Sequence, residues 1–253
     1  MAIIITNVRD IVSSKLRRFA PLRAIYRATF GLEGRNRRNM IARFYSQFLN
    51  PGDLIFDIGA NIGVYAESLQ SIGARVVAVE PNPECAKQIG WTTSKELVTV
   101  VNAAVGDRIA TGKLFVNEAN VLSSMSLEQV RAERQKAWDR EIEVSVVTID
   151  SLIDRYGMPR FIKLDVEGYE VAALSGMSRQ PQYLSFEFHG NNLAKVQACF
   201  EKLSPLSQYD FVIEEPSKLE IGRWVDQAEL LNCLNQSRVI GTFGDVIAKV
   251  PKI

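Results

Sequence analysis

The residues predict an α/β fold: a sheet of roughly seven mostly parallel strands flanked by helices, preceded by a basic helical extension over residues 1–50. Three observations carry this. Short apolar runs alternate with amphipathic stretches of helical length from about residue 54 onward, the pattern of parallel strands joined by crossover helices. A glycine-bearing turn follows the first apolar run and opens the first helical stretch, where open parallel sheets bind ligands. With 253 residues, 47% of them hydrophobic and 23% charged, the chain can bury one full core, which excludes disordered and fibrous classes.

Residues 11–49 read as helices interrupted at Pro21 and around Gly31 to Gly34, and Asn50-Pro51-Gly52-Asp53 supplies a turn and a boundary. A strand over 54–56, a helix over 62–72 and a strand over 76–79 follow at the spacing of a parallel unit. Next come a helix near 84–91, a strand near 98–102, and two strand-like runs at 113–116 and 142–147. Between those runs, residues 127–140 are rich in Glu, Gln, Arg and Ala, as in a helix inserted over a sheet edge or a loop that orders on a ligand. The parallel series resumes with a strand over 161–164, a helix near 169–174 and a strand over 183–188. A helix near 194–203 and strands near 211–214 and 245–249 complete the sheet.

Residues 1–50 carry ten Lys or Arg against only Asp10 and Glu33, although the whole chain has a formal charge of +1. Clustered cations attract anionic lipid, nucleic acid or a phosphorylated substrate. The arginines alternate with Leu16, Phe19, Leu22, Ile25 and Phe30, so an ordinary solvated amphipathic face is the default. No apolar run approaches the roughly 18 residues needed to span a bilayer, and Met1 to Asp10 lacks the order of a signal peptide. A soluble, cytoplasmic protein is expected. Cys85, Cys199 and Cys233 form no Cys-x-x-Cys pair and are expected as reduced core residues.

The most informative stretch is Asp57-Ile58-Gly59-Ala60-Asn61-Ile62-Gly63. A dinucleotide loop would read G-x-G-x-x-G and would turn its helix N-terminus to a pyrophosphate, which an acid just before the first glycine repels. Here Gly59 and Gly63 are spaced G-x-x-x-G and Asp57 stands in that repelling position. The pattern favours a cationic ligand on a Rossmann-like sheet. S-adenosylmethionine, with an ammonium, a sulfonium and no phosphate, suits it through Coulomb attraction or a bridging water. Glu80, seventeen residues after Gly63, ends the second strand where an acid receives ribose hydroxyls. NAD sites share that feature, and a strand-end acid often caps the next helix. Asn102 and Ala103, after the third strand, are placed to contact adenine.

These pieces, with Pro51-Gly52-Asp53, Val79-Glu80-Pro81-Asn82-Pro83, Ala103-Ala104-Val105-Gly106-Asp107, Val147-Thr148-Ile149-Asp150-Ser151-Leu152, Ile162-Lys163-Leu164-Asp165-Val166-Glu167-Gly168-Tyr169-Glu170 and Phe186-Glu187-Phe188-His189, resemble the FkbM-type methyltransferase family in order and spacing over residues 38–190. The resemblance implies a class I methyltransferase fold and transfer of a methyl group from S-adenosylmethionine to oxygen. Its acceptor would be a hydroxyl of a sugar, glycoconjugate or natural product. Asp57, Gly59, Asn61, Gly63, Glu80, Asn82, Asn102, Ala103 and Asp165 are the expected cofactor-side residues. Some related sugar methyltransferases use a divalent cation such as magnesium, which leaves metal dependence open, as are the acceptor's identity and the oligomeric state.

A sugar hydroxyl is a poor nucleophile at neutral pH, so a base or cation should lie near the methyl group. Asp165 ends the fourth strand, and alternation sends Glu187 and His189 to one face of the fifth. His189, the only histidine, is the first choice as base because an ordinary imidazole titrates near pH 6.5; a hydrogen-bonded structural histidine is the plainer alternative. Asp165, Glu167 and His189 could instead bind a divalent cation, although no spacing is diagnostic. Glu170 reads as a helix N-terminal acid. Lys163, two before Asp165, shares its face and is placed to pair with an acid. Ser123, Ser124 and Met125 border the acceptor or form a polar surface loop.

Three other readings compete. A dehydrogenase or epimerase would need the G-x-G-x-x-G loop that is missing. A non-catalytic binding module would lose its strand-end polar residues, which are all here. A protein acceptor stays open, whereas a nucleic-acid base is disfavoured because Asp165-Val166-Glu167-Gly168 replaces the Asn/Asp-Pro-Pro loop of base methylation.

Overall fold

The computed structural model describes residues 34–117, 122–125, 140–189, 193–203, 208–213, 223–235 and 243–250. The described strands are β1 (Leu54–Ile58), β2 (Arg75–Val79), β3 (Val98–Val101), β4 (Ala104–Val105), β5 (Ala110–Asn117), β6 (Leu122–Ser124), β7 (Arg140–Val147), β8 (Phe161–Leu164), β9 (Tyr183–His189), β10 (Gln208–Ile213) and β11 (Phe243–Lys249). The described helices are α1 (34–45), α2 (Val64–Ser71), α3 (Pro83–Thr92), α4 (Ile149–Tyr156), α5 (Glu170–Ser175), α6 (Leu193–Lys202) and α7 (Gln227–Leu234).

Seven strands form one sheet in the order β10-β11-β9-β8-β1-β2-β3. Neighbouring strands from β9 through β8, β1 and β2 to β3 pair parallel, and only β11 runs against its neighbours. The central strands are largely apolar because both faces are covered, with Asp57, Lys163 and Ser185 as buried polar exceptions. On one face lie α4, α5, α6 and α7, which bury Leu152, Leu174, Phe200 and Leu230 against Phe56, Leu164 and Phe186. The opposite face is covered by α1, α2 and α3, with Phe44, Tyr45, Leu69 and Ile89 packed against Ile55, Val76 and Phe161.

Two of the runs expected to join this sheet do not. β5 and β7 pair antiparallel and build a separate sheet in the order β4-β7-β5-β6. The reason is visible in their alternation. Val144 and Val146 are buried while Glu141, Glu143 and Ser145 are exposed, a strand with one wet face that could not lie between two layers of helix. The small sheet has its own core of Ala104, Leu114, Val116, Val144 and Val146. Of residues 127–140, expected as an inserted helix or a loop that orders on a ligand, 127–139 lie outside the described residues and Arg140 begins β7. Helix α4 had no sequence-level counterpart; the reciprocal cap between Thr148 and Ser151 starts it, and Gly157 ends it.

Of the segment expected to extend from the domain, residues 1–33 lie outside the described residues, while residues 41–49 pack beneath the sheet. Phe48 meets the rings of Phe161 and Tyr183 edge-on at 5.4 and 5.1 Å, and its carbonyl accepts a 2.6 Å bond from Arg160 Nε. Among the described residues no helix is long and apolar enough to cross a membrane. If this segment is integral to the domain, Phe48→Ala should cost about 3–5 kcal/mol of unfolding free energy, as buried Phe→Ala changes do. Urea denaturation measures it, and a loss below about 1 kcal/mol would show that the aromatic cluster is dispensable.

Candidate active site

The chain goes from β1 to β2 and β3 on one side of the sheet and to β8 and β9 on the other. The strand order therefore reverses at β1, and a crevice opens beyond the carboxyl ends of β1, β2 and β8, as open sheets require. A cavity of about 630 Å³, open to solvent, lies there. Its acidic wall consists of Glu80, Asp165 and Glu167, with Asn61 and the Gly59 backbone beside them. The apolar wall includes Pro81, Ala103, Ala104 and Val105, completed by Leu114 and Met125 of the small sheet and by Tyr169.

The glycine turn owes its shape to close backbone contact. Gly59 has φ +82°, and a β-carbon on it would stand 1.7 Å from the Asp165 carbonyl oxygen, so no side chain is tolerated. Gly63, at φ +87°, precedes α2 and lies against Ile89. The loop turns its amides inward: those of Gly59 and Ala60 donate to the Val79 carbonyl, and that of Asn61 donates to Glu80 Oε2 at 2.8 Å. These three amides of the turn are thus engaged within the protein rather than offered to a ligand.

Glu80 is the keystone of this corner. Its other oxygen accepts the Asn82 amide at 2.8 Å, so one carboxylate joins the glycine turn to the start of α3. Burial pushes it up from an ordinary carboxylate value to about 7, against the pull of those two amides. Each carboxylate oxygen retains a second lone-pair direction, and Glu80 lines the cavity. Asn82 and Asn102 support this corner. The Asn82 side chain caps α3 by accepting from the Glu84 amide, and Asn102 donates to the carbonyls of Glu80 and Pro81. Neither lines the cavity, whereas Ala103 does.

Asp57 sits elsewhere than expected. It is completely buried, behind the wall rather than in it, and neither oxygen makes a hydrogen bond of good geometry among the described residues. Burial raises it to about 6, with Lys163 and the Ala66 backbone amide opposing. Lys163 is also buried and pairs with an acid as its position implied: its Nζ lies 2.8 Å from Asp165 Oδ2. Burial works against its charge, yet the Asp165 carboxylate and further anionic neighbours hold it well above the ordinary lysine value.

Glu167 is left-handed at φ 49°, and its carbonyl accepts a 2.7 Å bond from Ser124 Oγ of β6. Glu170 Oε1 accepts the amides of Val166 and Gly168 at 3.2 Å, and the same carboxylate is ion-paired to Lys195 of α6. The loop that presents Asp165 and Glu167 is thus tied from both sides. Glu187 and His189 end β9, opposite Asp245 and Phe243 of β11, and Glu187 does not line the cavity. Among the described residues no three His, Cys, Asp or Glu side chains converge as a metal site. The wall residues not expected from the sequence as contacts are Ile58, Val79, Pro81, Ala104, Val105, Leu114, Val166 and Tyr169. Most are apolar and carry no chemical signature of their own.

Comparison with known proteins supplies the wider context. A hexuronic acid methyltransferase, AglP, of Haloferax volcanii is 26% identical over 136 residues, covering 53% of this chain and 54% of that protein. The chain therefore spans about half the length of the curated relative it matches. A precorrin-6Y C5,15-methyltransferase from Geobacter metallireducens superposes with a TM-score of 0.42 at 11% identity, over 85% of this chain and 87% of the other. A TehB-like S-adenosylmethionine-dependent methyltransferase from Corynebacterium glutamicum gives 0.45 at 11% identity, over 83% and 87%. The family profile described as Methyltransferase FkbM domain matches residues 57–219, from the acid that ends β1 to beyond β10. The chain belongs to the FkbM methyltransferase family.

Proposed function

We propose that the protein transfers a methyl group from S-adenosylmethionine to a hydroxyl oxygen of a sugar or glycoconjugate. The observation that carries this is the charge of the cavity: Glu80, Asp165 and Glu167 line it, and the three turn amides are engaged by Val79 and Glu80 rather than offered to a ligand. Such a wall repels a pyrophosphate and attracts a ligand that carries an ammonium and a sulfonium. Glu80 would accept the ribose hydroxyls, the apolar wall from Pro81 to Val105 with Leu114 and Met125 would take adenine, and Asp165 would face the cationic end. Bound there, S-adenosylmethionine supplies an electrophilic methyl group. The residues of this chain align the acceptor and exclude water, which is the larger part of catalysing a direct displacement.

A sugar acceptor is favoured by the family membership and by the hexuronic acid named for the relative. His189, at the carboxyl end of β9, is proposed to take the hydroxyl proton, with Asp165 at the neighbouring strand end orienting the acceptor.

Calorimetric titration should show S-adenosylmethionine and S-adenosylhomocysteine binding and NAD failing to bind. Glu80→Ala, checked for folding, should weaken both S-adenosyl ligands by about 10- to 100-fold, the weight of one or two charge-assisted hydrogen bonds. Binding of NAD alone would sink the proposal. Methylation assays on uronic acids and neutral sugars, with and without magnesium, should then give product that His189→Ala reduces by about 10²–10⁴-fold, the range for a general base. An undiminished rate in that variant would remove His189 from the chemistry.

Glu80 also makes stability depend on pH. An acid whose pKa rises from 4.5 to about 7 on folding prefers to be neutral in the native state. Its contribution is intact below pH 4.5 and is lost as pH climbs through 7. Between pH 5 and 8 the wild type should lose on the order of 2–3 kcal/mol relative to Glu80→Gln. Urea midpoints of both proteins at the two pH values measure this, and a difference that does not change with pH would contradict it.

A further inference from the structure

Asp57, Lys163 and Ser185 stand in one register row across β1, β8 and β9, all essentially inaccessible to solvent. They lie on the face covered by α1 and α2, among aromatic residues rather than in the cavity. Lys163 reaches from this row to the front. Its ammonium bonds Asp165 Oδ2 at 2.8 Å, and while Lys163 is 1% exposed, the Asp165 side chain is 32% exposed and lines the cavity. The ion pair straddles the cavity wall, with its cation behind and its anion in front.

We propose that Lys163 is the positioning residue of this site, fixing the Asp165 carboxylate in the cavity wall, and that Asp57 serves the site only through Lys163. The inference rests on the cofactor reading above and adds the device that holds its cationic end. A carboxylate at a strand end with a third of its surface in water has several rotamers open to it. A charge-assisted bond from a buried, immobile ammonium selects one.

The ammonium is itself held from several directions. The Tyr65 ring of α2 lies 4.3 Å from Nζ, a cation–π contact strengthened by burial, and Asp57 of β1, Asp245 of β11 and Tyr45 of α1 also interact electrostatically with it. Asp57 has no access to the cavity, and the groups that favour its charge are Lys163 first and then the Ala66 backbone amide. A buried carboxylate in that position is costly unless a cation offsets it, and Lys163 is the cation its register places beside it. Removing the lysine charge leaves Asp57 and Asp165 with nothing between them, so Asp165 turns away or one of the two takes a proton.

The test is a double-mutant cycle on the full chain, read by calorimetric titration with S-adenosylhomocysteine. Lys163→Met and Asp165→Asn should each weaken binding about tenfold, and the double variant should bind no more weakly than Asp165→Asn alone, because the lysine then has nothing left to position. Losses that multiply to about a hundredfold, or a Lys163→Met affinity within twofold of wild type, would overturn the proposal. Thermal unfolding without ligand supplies a second arm. Lys163→Met should lower the midpoint, and adding Asp57→Asn should recover at least half of that drop; no recovery would show that Asp57 is not its counter-charge. Failure of the wild type to bind any S-adenosyl ligand would refute the cofactor reading instead, leaving the unfolding arm to decide the pairing.

Discussion

The chain leaves β1 through Gly59 in a left-handed conformation, so near β8 that a β-carbon would sit 1.7 Å from the Asp165 carbonyl oxygen. That contact brings the turn after β1 against the end of β8 at the one place where the strand order reverses. It also aims the next amides. Gly59, Ala60 and Asn61 donate to the end of β2, which draws Glu80 into the corner, and Glu80 in turn fixes the start of α3 through Asn82. Three elements meet because a single residue lacks a side chain.

The fold was legible where burial on both faces leaves a strong pattern. The largely apolar runs of β1, β2, β8 and β9 and the helices between them could be placed from composition and spacing, because strands between two helical layers are rich in apolar residues on both faces. Legibility failed where the pattern is local. β5 and β7 read as further strands of the main sheet because apolar residues recur in them, although polar residues alternate with them along most of β7; partner choice is a tertiary property that alternation only hints at. Helix α4 is two turns long, and its start is signalled by one reciprocal cap. A segment that short has little helical signal of its own.

The site was legible in its charges and glycines and illegible in its depth. Gly59, Asn61, Glu80, Ala103 and Asp165 come together around the cavity, since each lies within three residues of the carboxyl end of a parallel strand, where position in sequence nearly dictates position in space. Asp57 lies one residue before the end of β1 and faces the helices instead of the crevice; a shift of one residue along a pleat changes the face entirely. Asn82 and Asn102 have the chemistry of ligand contacts but are occupied by backbone groups. Met125 was singled out only together with Ser123 and Ser124, as a border of the acceptor or part of a polar loop, and Leu114 could not have been found by residue type, because an apolar wall has no distinguishing chemistry until the small sheet folds over it.

That small sheet has a core of its own, separate from the two that flank the main sheet, while Leu114 and Met125 lend it to the cavity. Leu114 is buried in that core, so enlarging or trimming it is felt first among those few side chains, while the Gly59 contact and the Glu80 corner are built by the ends of β1, β2 and β8. The two sides are buttoned together all the same: Ser124 Oγ of the small sheet holds the Glu167 carbonyl, so a shift of this sheet carries the acidic loop with it.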